Sequence, residues 1–172
     1  MDLTRKDRLI LWNQYHILEA LYPKEAEHYE ICKKIVAEGY KTHYDSLYEH
    51  IDEHEFSEES AHEVMDILSM FEALQDSSAK VGEVEEVKGI ESWLARFPGF
   101  DGNYEGEQLG YLYFLVKKGS YIHVVDPKRL NSHAPLLGRY REMLVTWNEM
   151  GRPSMLGAEQ VKKLFSWWEK PE

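Results

Sequence analysis

Leu136, Tyr140, Met143, Leu144 and Trp147 follow one another at steps of four, three, one and three residues. With side chains spaced 100° apart around a helix axis, these steps place all five on one face, and a face that apolar must be covered by other helices. The same template recurs along most of the chain and predicts an all-α fold. It also assigns most of the large apolar residues to core, so function must be sought among the polar residues that remain.

Read from the N-terminus, Thr4 is the expected N-cap of a helix running to Tyr22, with Leu11, Tyr15, Leu18 and Tyr22 in one row and Ile10, Ile17 and Leu21 in the adjoining one. Pro23 opens a second helix that buries Tyr29, Cys32, Ile35 and Val36 and stops at Gly39, a left-handed cap. So short a connection predicts an antiparallel hairpin. Tyr44, Leu47, Tyr48 and Ile51 mark a third amphipathic segment, and Ser57 starts a long fourth helix lined by Val64, Ile67, Leu68, Phe71 and Leu74. The pattern fades near Asp76, and the charged stretch that follows, up to Gly89, reads as a linker. The expected organisation is therefore an N-terminal helical hairpin subdomain, residues 1–80, packed with a compact C-terminal helical subdomain, residues 81–172.

In the second half, Ile90, Trp93, Leu94 and Phe97 predict a short helix ended by Pro98 and Gly99, and residues 100–106 a loop rich in Gly, Asp and Asn. Residues 109–125 admit two readings, a buried helix over Leu109–Val116 or a β-hairpin turning at residues 117–120. The stripe from Leu136 to Trp147 and a last helix carrying Val161, Leu164, Phe165 and Trp168 complete the chain.

Aromatic residues make up 13% of the 172, and 43% are hydrophobic, which suffices for a substantial core and argues against disorder. The net charge of −11 repels phosphate backbones, so nucleic acid is disfavoured as a partner, and so is an anionic membrane surface. The basic trio Arg5, Lys6 and Arg8 reads as a solvated helix start. A single cysteine, Cys32, calls for no oxidising compartment, and residues 2–7 are not a basic stretch leading into a long apolar core. The expectation is a cytoplasmic protein that stays where it is made.

Several blocks stand in series: Arg8-Leu9-Ile10-Leu11-Trp12-Asn13-Gln14-Tyr15, Glu38-Gly39-Tyr40, Asp66-Ile67-Leu68, Phe97-Pro98-Gly99-Phe100-Asp101-Gly102-Asn103 and Ser132-His133-Ala134-Pro135. In order and spacing they resemble the YfbU family of bacterial proteins, from about Leu3 to about Phe165. The resemblance implies a cytoplasmic all-α protein with a long N-terminal hairpin and a tendency to self-associate, and it favours helix at Leu109–Val116. It transfers no catalytic residues, because no chemistry is assigned to those blocks. The departures, residues 83–88 and Trp167-Trp168, fall in the expected linker and tail.

Four constellations carry chemical possibilities. His50, Glu53 and His54 spell H-x-x-E-H, which on a helix would set two metal-binding histidines beside a glutamate base. The alternative is a solvated acidic face, and no third ligand is nominated, so no metal and no cofactor is assigned. His28 and Cys32 are also four apart, but the cysteine belongs to the apolar stripe and reads as core. Asp101, Asn103 and Glu105 in the glycine-rich loop, with His133 and Arg139 from later in the chain, form a candidate binding loop whose alternative role is turn chemistry. Trp12, Asn13 and Gln14 interrupt or flank the first apolar helix and are candidate interface residues, since a polar pair in an apolar seam can fix register.

No Walker-type loop, G-x-S-x-G or G-x-G-x-x-G sequence occurs. The reading is an interaction or regulatory protein, without catalytic residues, that forms a homodimer and meets a further, unknown protein partner. A metal-dependent hydrolase using His50, Glu53 and His54 is one alternative, and a nucleic-acid-associated regulator is another.

Overall fold

A computed structural model describes residues 2–81 and 96–165. Among the described residues the α-helices are α1 (Arg5–Leu21), α2 (Ala26–Glu38), α3 (Glu58–Val81), α4 (Gly106–Lys117), α5 (Leu137–Glu149) and α6 (Ala158–Leu164). Among the described residues the only extended pairing is an isolated parallel bridge between Phe100 and Asn131, so the fold is all-α. The chain forms two compact units, Met1–Glu55 and Phe56–Glu172.

The first unit is the expected hairpin. Thr4 caps α1 through a reciprocal pair: its Oγ1 accepts the Asp7 N–H at 3.2 Å and the Asp7 carboxylate accepts the Thr4 N–H at 2.9 Å. The Thr4 hydroxyl, which donates to the Asp7 carboxylate at 2.6 Å, and then the Thr4 N–H hold the Asp7 carboxyl below its ordinary pKa. A single 3₁₀ turn, Pro23–Glu25, leads into α2, and Gly39 ends α2 with φ +72°. Arg8, expected to be solvated, instead donates from Nη1 to the Val36 and Ala37 carbonyls at 3.2 and 3.4 Å. A cation is thereby set against the negative end of α2. Burial is shallow: Cys32, Ile35, Val36 and Tyr44 are buried, whereas α1 contributes no buried residue, and its inward Leu11, Tyr15 and Leu18 are half-buried.

In the second unit α3 supplies the spine. Val64, Ile67, Leu68, Phe71 and Leu74 are at most 2% exposed, the outcome their spacing predicts. Phe71 meets Phe97 and Tyr140 edge-on, with ring centroids 5.2 and 5.5 Å apart, and α5 adds Met143, Leu144 and Trp147 to the same core. Fully burying each such side chain contributes about 1.5–3 kcal/mol. Buried Ser77 donates to the Ala73 carbonyl and accepts the Leu156 N–H at 2.8 Å, which pins the approach to α6 against α3.

One open reading is decided in favour of helix, and other expectations are corrected. Residues 109–125 hold no strand: α4 buries Leu109, Leu112 and Leu115, and the chain then turns through Gly119 (φ +86°) and Tyr121 (φ +56°), with the Val124 N–H on the Tyr121 carbonyl. The third amphipathic segment is only two 3₁₀ turns, Lys41–His43 and Asp45–Tyr48. Tyr44 is buried but Ile51 is 68% exposed, so the segment lacks the packed face that would carry a costly helix nucleus forward. The compact units divide at Glu55 and Phe56, ahead of the expected boundary at 80/81, because the apolar face of α3 packs on α4 and α5. The helix expected over Ile90, Trp93 and Leu94 and the tail at Trp167-Trp168 lie outside the described residues, while Phe97 is core.

Candidate functional sites

The glycine-rich loop and the loop before α5 are stapled together. The Phe100 N–H donates to the Leu130 carbonyl at 3.1 Å and the Ser132 N–H to the Phe100 carbonyl at 3.0 Å. Gly99 makes this approach possible: its φ is +102°, and a Cβ there would sit 2.1 Å from the Leu130 carbonyl oxygen. Asn131 ties the pair laterally, its Oδ1 accepting from Gly102 N–H at 3.2 Å and from His133 N–H at 2.9 Å.

Within this assembly Asp101 and Glu105 are buried, 2% and 4% exposed, and both are spent on backbone. Asp101 Oδ1 accepts the N–H groups of Asn103 and Tyr104, an Asx turn. The Glu105 carboxylate accepts the Asp101 N–H at 2.8 Å and the N–H of Leu137, the first residue of α5. The loop acidic groups therefore play the turn-and-cap role set against ligand binding above. Asn103 and Arg139 are exposed, and Arg139 is engaged in an interaction of its own. His133 is brought to the loop through Asn131 and is held with φ +55°, an uncommon conformation for a non-glycine residue.

Sequence reasoning did not find the cleft beside these loops. It encloses about 820 Å³ and is lined by Arg96, Lys128, Arg129 and His133 at the polar side, by Tyr113 of α4, and by buried Phe97, Val124, Val125 and Leu130. Gln75 of α3 donates from Nε2 to the Val124 carbonyl at 2.7 Å and anchors its wall. Arg96 lies more than thirty residues before Lys128 and Arg129, and no local pattern signals their meeting.

Of the interface candidates on α1, Asn13 and Gln14 are exposed and Trp12 is 38% exposed, with its ring stacked on His16 at 5.3 Å. Ile10, Ile17 and Leu21 are also exposed, at 46%, 59% and 65%. Ile10, Gln14, Ile17 and Leu21 follow at steps of four, three and four, a single strip along the helix, whereas Trp12 lies about 160° round the axis from Ile10. Cys32 is buried, with its Sγ 3.7 Å from His28 Nε2, and burial pushes its thiol pKa up, away from nucleophilic reactivity.

His50, Glu53 and His54 do not share a helical face. Residues 49–55 are turns and bends, all exposed. The one-turn geometry that gives H-x-x-E-H its meaning as a metal site is absent from this segment, and among the described residues no group of three or more His, Cys, Asp or Glu is arranged to hold a metal ion. No described helix is long and apolar enough to cross a membrane.

The YfbU domain model matches residues 1–166, nearly the whole chain, including the capped hairpin, the apolar spine of α3 and the stapled loops. The chain belongs to the YfbU family.

Proposed function

We propose that this YfbU protein works by association, as a cytoplasmic interaction or regulatory protein that pairs with a second copy of itself through the outer strip of α1. The observation that carries the reading is a helix of 17 residues with no buried residue and with Ile10, Ile17 and Leu21 facing out. The four-three-four spacing of Ile10, Gln14, Ile17 and Leu21 is that of a coiled-coil seam, and a polar residue at one seam position sets register at some cost in stability. A strip of this kind is self-complementary, and two-fold pairing is the commonest closed solution. Ile31 of α2 is exposed as well, at 56%, and adds to the apolar surface of the hairpin.

Light scattering at micromolar concentration tests the reading. The wild-type protein should be a dimer, and Ile17→Glu should make it a monomer by forcing a charge into a desolvated contact. Trp12→Glu, on the other flank, should leave the dimer intact. A wild-type monomer throughout that range would overturn the proposal, and dissociation by Trp12→Glu alone would move the interface to the flank of Trp12 and His16.

A further inference from the structure

The cleft in the second unit has a charge at odds with the molecule that holds it. The chain as a whole carries −11, yet among the described residues the cleft presents Arg96, Lys128 and Arg129 with Asp126 as its one carboxylate, a local excess of two positive charges with the histidines left out of the count. Asp126 offsets one of the three, and its Oδ1 accepts the backbone N–H of Lys128 at 3.0 Å as part of a turn. Elsewhere in the unit Arg141 and Arg152 each grip a carboxylate with two bonds, Glu63 and Asp66 respectively. Among the described residues the side chains of Arg96, Lys128 and Arg129 take no such partner, although acidic residues outnumber basic ones in the chain by 31 to 20. Three cations around one concavity that grip no carboxylate among the described residues are placed for a charge that comes from outside.

The walls are built in advance. Gln75 holds the Val124 carbonyl, the bridge to Phe100 ties down Asn131, and Asn131 holds the His133 backbone in its left-handed conformation. A preformed wall spares a ligand the entropy of ordering it. Part of the lining is apolar, from buried Phe97, Val125 and Leu130, and Tyr113 adds an exposed aromatic ring. At about 820 Å³ the cleft has the size of a small-molecule site, and the field of the whole chain disfavours an extended polyanion there.

We propose that this cleft binds a small organic phosphate monoester. The phosphate, carrying between one and two negative charges near neutral pH, is held by Arg96, Lys128 and Arg129, and the apolar body of the ligand lies against Tyr113 and Leu130. Arginine contributes the paired donors that match phosphate oxygens, and lysine adds a point charge.

Calorimetric titration of the full-length protein with phenyl phosphate tests the assignment, alongside phenylacetate, phenol and inorganic phosphate. Saturable binding of phenyl phosphate is expected, tighter than that of each of the other three, weakening as salt is raised and weakened about tenfold or more in a Lys128→Gln, Arg129→Gln variant. Both residues are exposed, so the variant should melt like the wild type, which the same sample can verify. Absence of saturable binding into the millimolar range, or equal affinity in the double variant, would overturn the proposal. Phenylacetate binding as tightly as phenyl phosphate would overturn the phosphate assignment in favour of a carboxylate site, and phenol doing so would reduce the cleft to an apolar pocket.

Discussion

Glu105 caps a helix that begins thirty-two residues later. Its carboxylate accepts the N–H of Leu137, at the positive end of α5, while its second oxygen holds the Asp101 N–H at 2.8 Å. Leu136, the residue at the cap position of α5, supplies no side-chain bond of its own. One buried side chain therefore satisfies a helix terminus and a loop amide that would otherwise lie unpaired in the interior.

Replacing Glu105 by Ala leaves both amides without an acceptor and opens a gap between the loop and α5. Bonds to a charged group in a buried setting contribute about 1.5–3 kcal/mol each, so the variant should lose about 3 kcal/mol or more of unfolding free energy. The midpoint of urea unfolding measures it, and an unchanged midpoint would mean that water replaces the carboxylate without cost.

Tyr140 lies under the same loop, with its hydroxyl donating to the Gly99 carbonyl at 2.8 Å. Burial, aided by the negative charge of Glu105, raises the phenol pKa well above its ordinary value of 10.0. A group whose pKa is raised on folding stabilises fully below the unfolded value and loses that contribution as pH climbs toward the folded one. Stability should accordingly decline above about pH 10, more steeply in the wild type than in Tyr140→Phe. At neutral pH Tyr140→Phe should cost about 1–3 kcal/mol for the orphaned carbonyl. Unfolding midpoints across the alkaline range, with phenolate absorbance, check both statements.

Gly99→Ala tests the staple between the loops. The new methyl would have to share space with the Leu130 carbonyl at a φ of +102°, and backbone cannot yield as a flexible side chain does. A loss of about 3 kcal/mol or more is expected, by thermal or chemical unfolding. Gly119→Ala, where nothing lies within 4 Å but φ is +86°, should lose less, since strain acts there without collision.

His50→Ala combined with His54→Ala should leave stability within about 0.5 kcal/mol, as expected at exposed positions. Elemental analysis of the variant and the wild type should return equal metal content. A loss of several kcal/mol together with lost metal would restore the hydrolase reading.

The elements that proved legible in the sequence are those whose signals are local and whose tertiary partners agree with them. Thr4 with Asp7, Gly39 and the stripe of α3 each satisfy a rule written within a few residues, and packing confirms them. Tyr44, Leu47, Tyr48 and Ile51 have the spacing of a helix, yet the segment is 3₁₀ turns because Ile51 has no buried place to go. H-x-x-E-H fails for a related reason, a pattern that presupposes a helix in a stretch that is not one. Asp101, Glu105 and His133 meet in one region of the fold, and only the long-range bonds of Glu105 and Asn131 distinguish a structural use from a binding one. The cationic cleft has no counterpart in the linear sequence at all, since Arg96 and Lys128 meet only once the loops are stapled.

The absence of buried residues on α1 has a consequence for how the molecule comes apart. Opening the first unit exposes only Cys32, Ile35, Val36 and Tyr44 among its buried apolar residues, so its amides should exchange hydrogen through local openings far cheaper than those that release α3. Whatever covers the strip would then act as a clamp on that opening, and the protection of α1 would report its occupancy amide by amide.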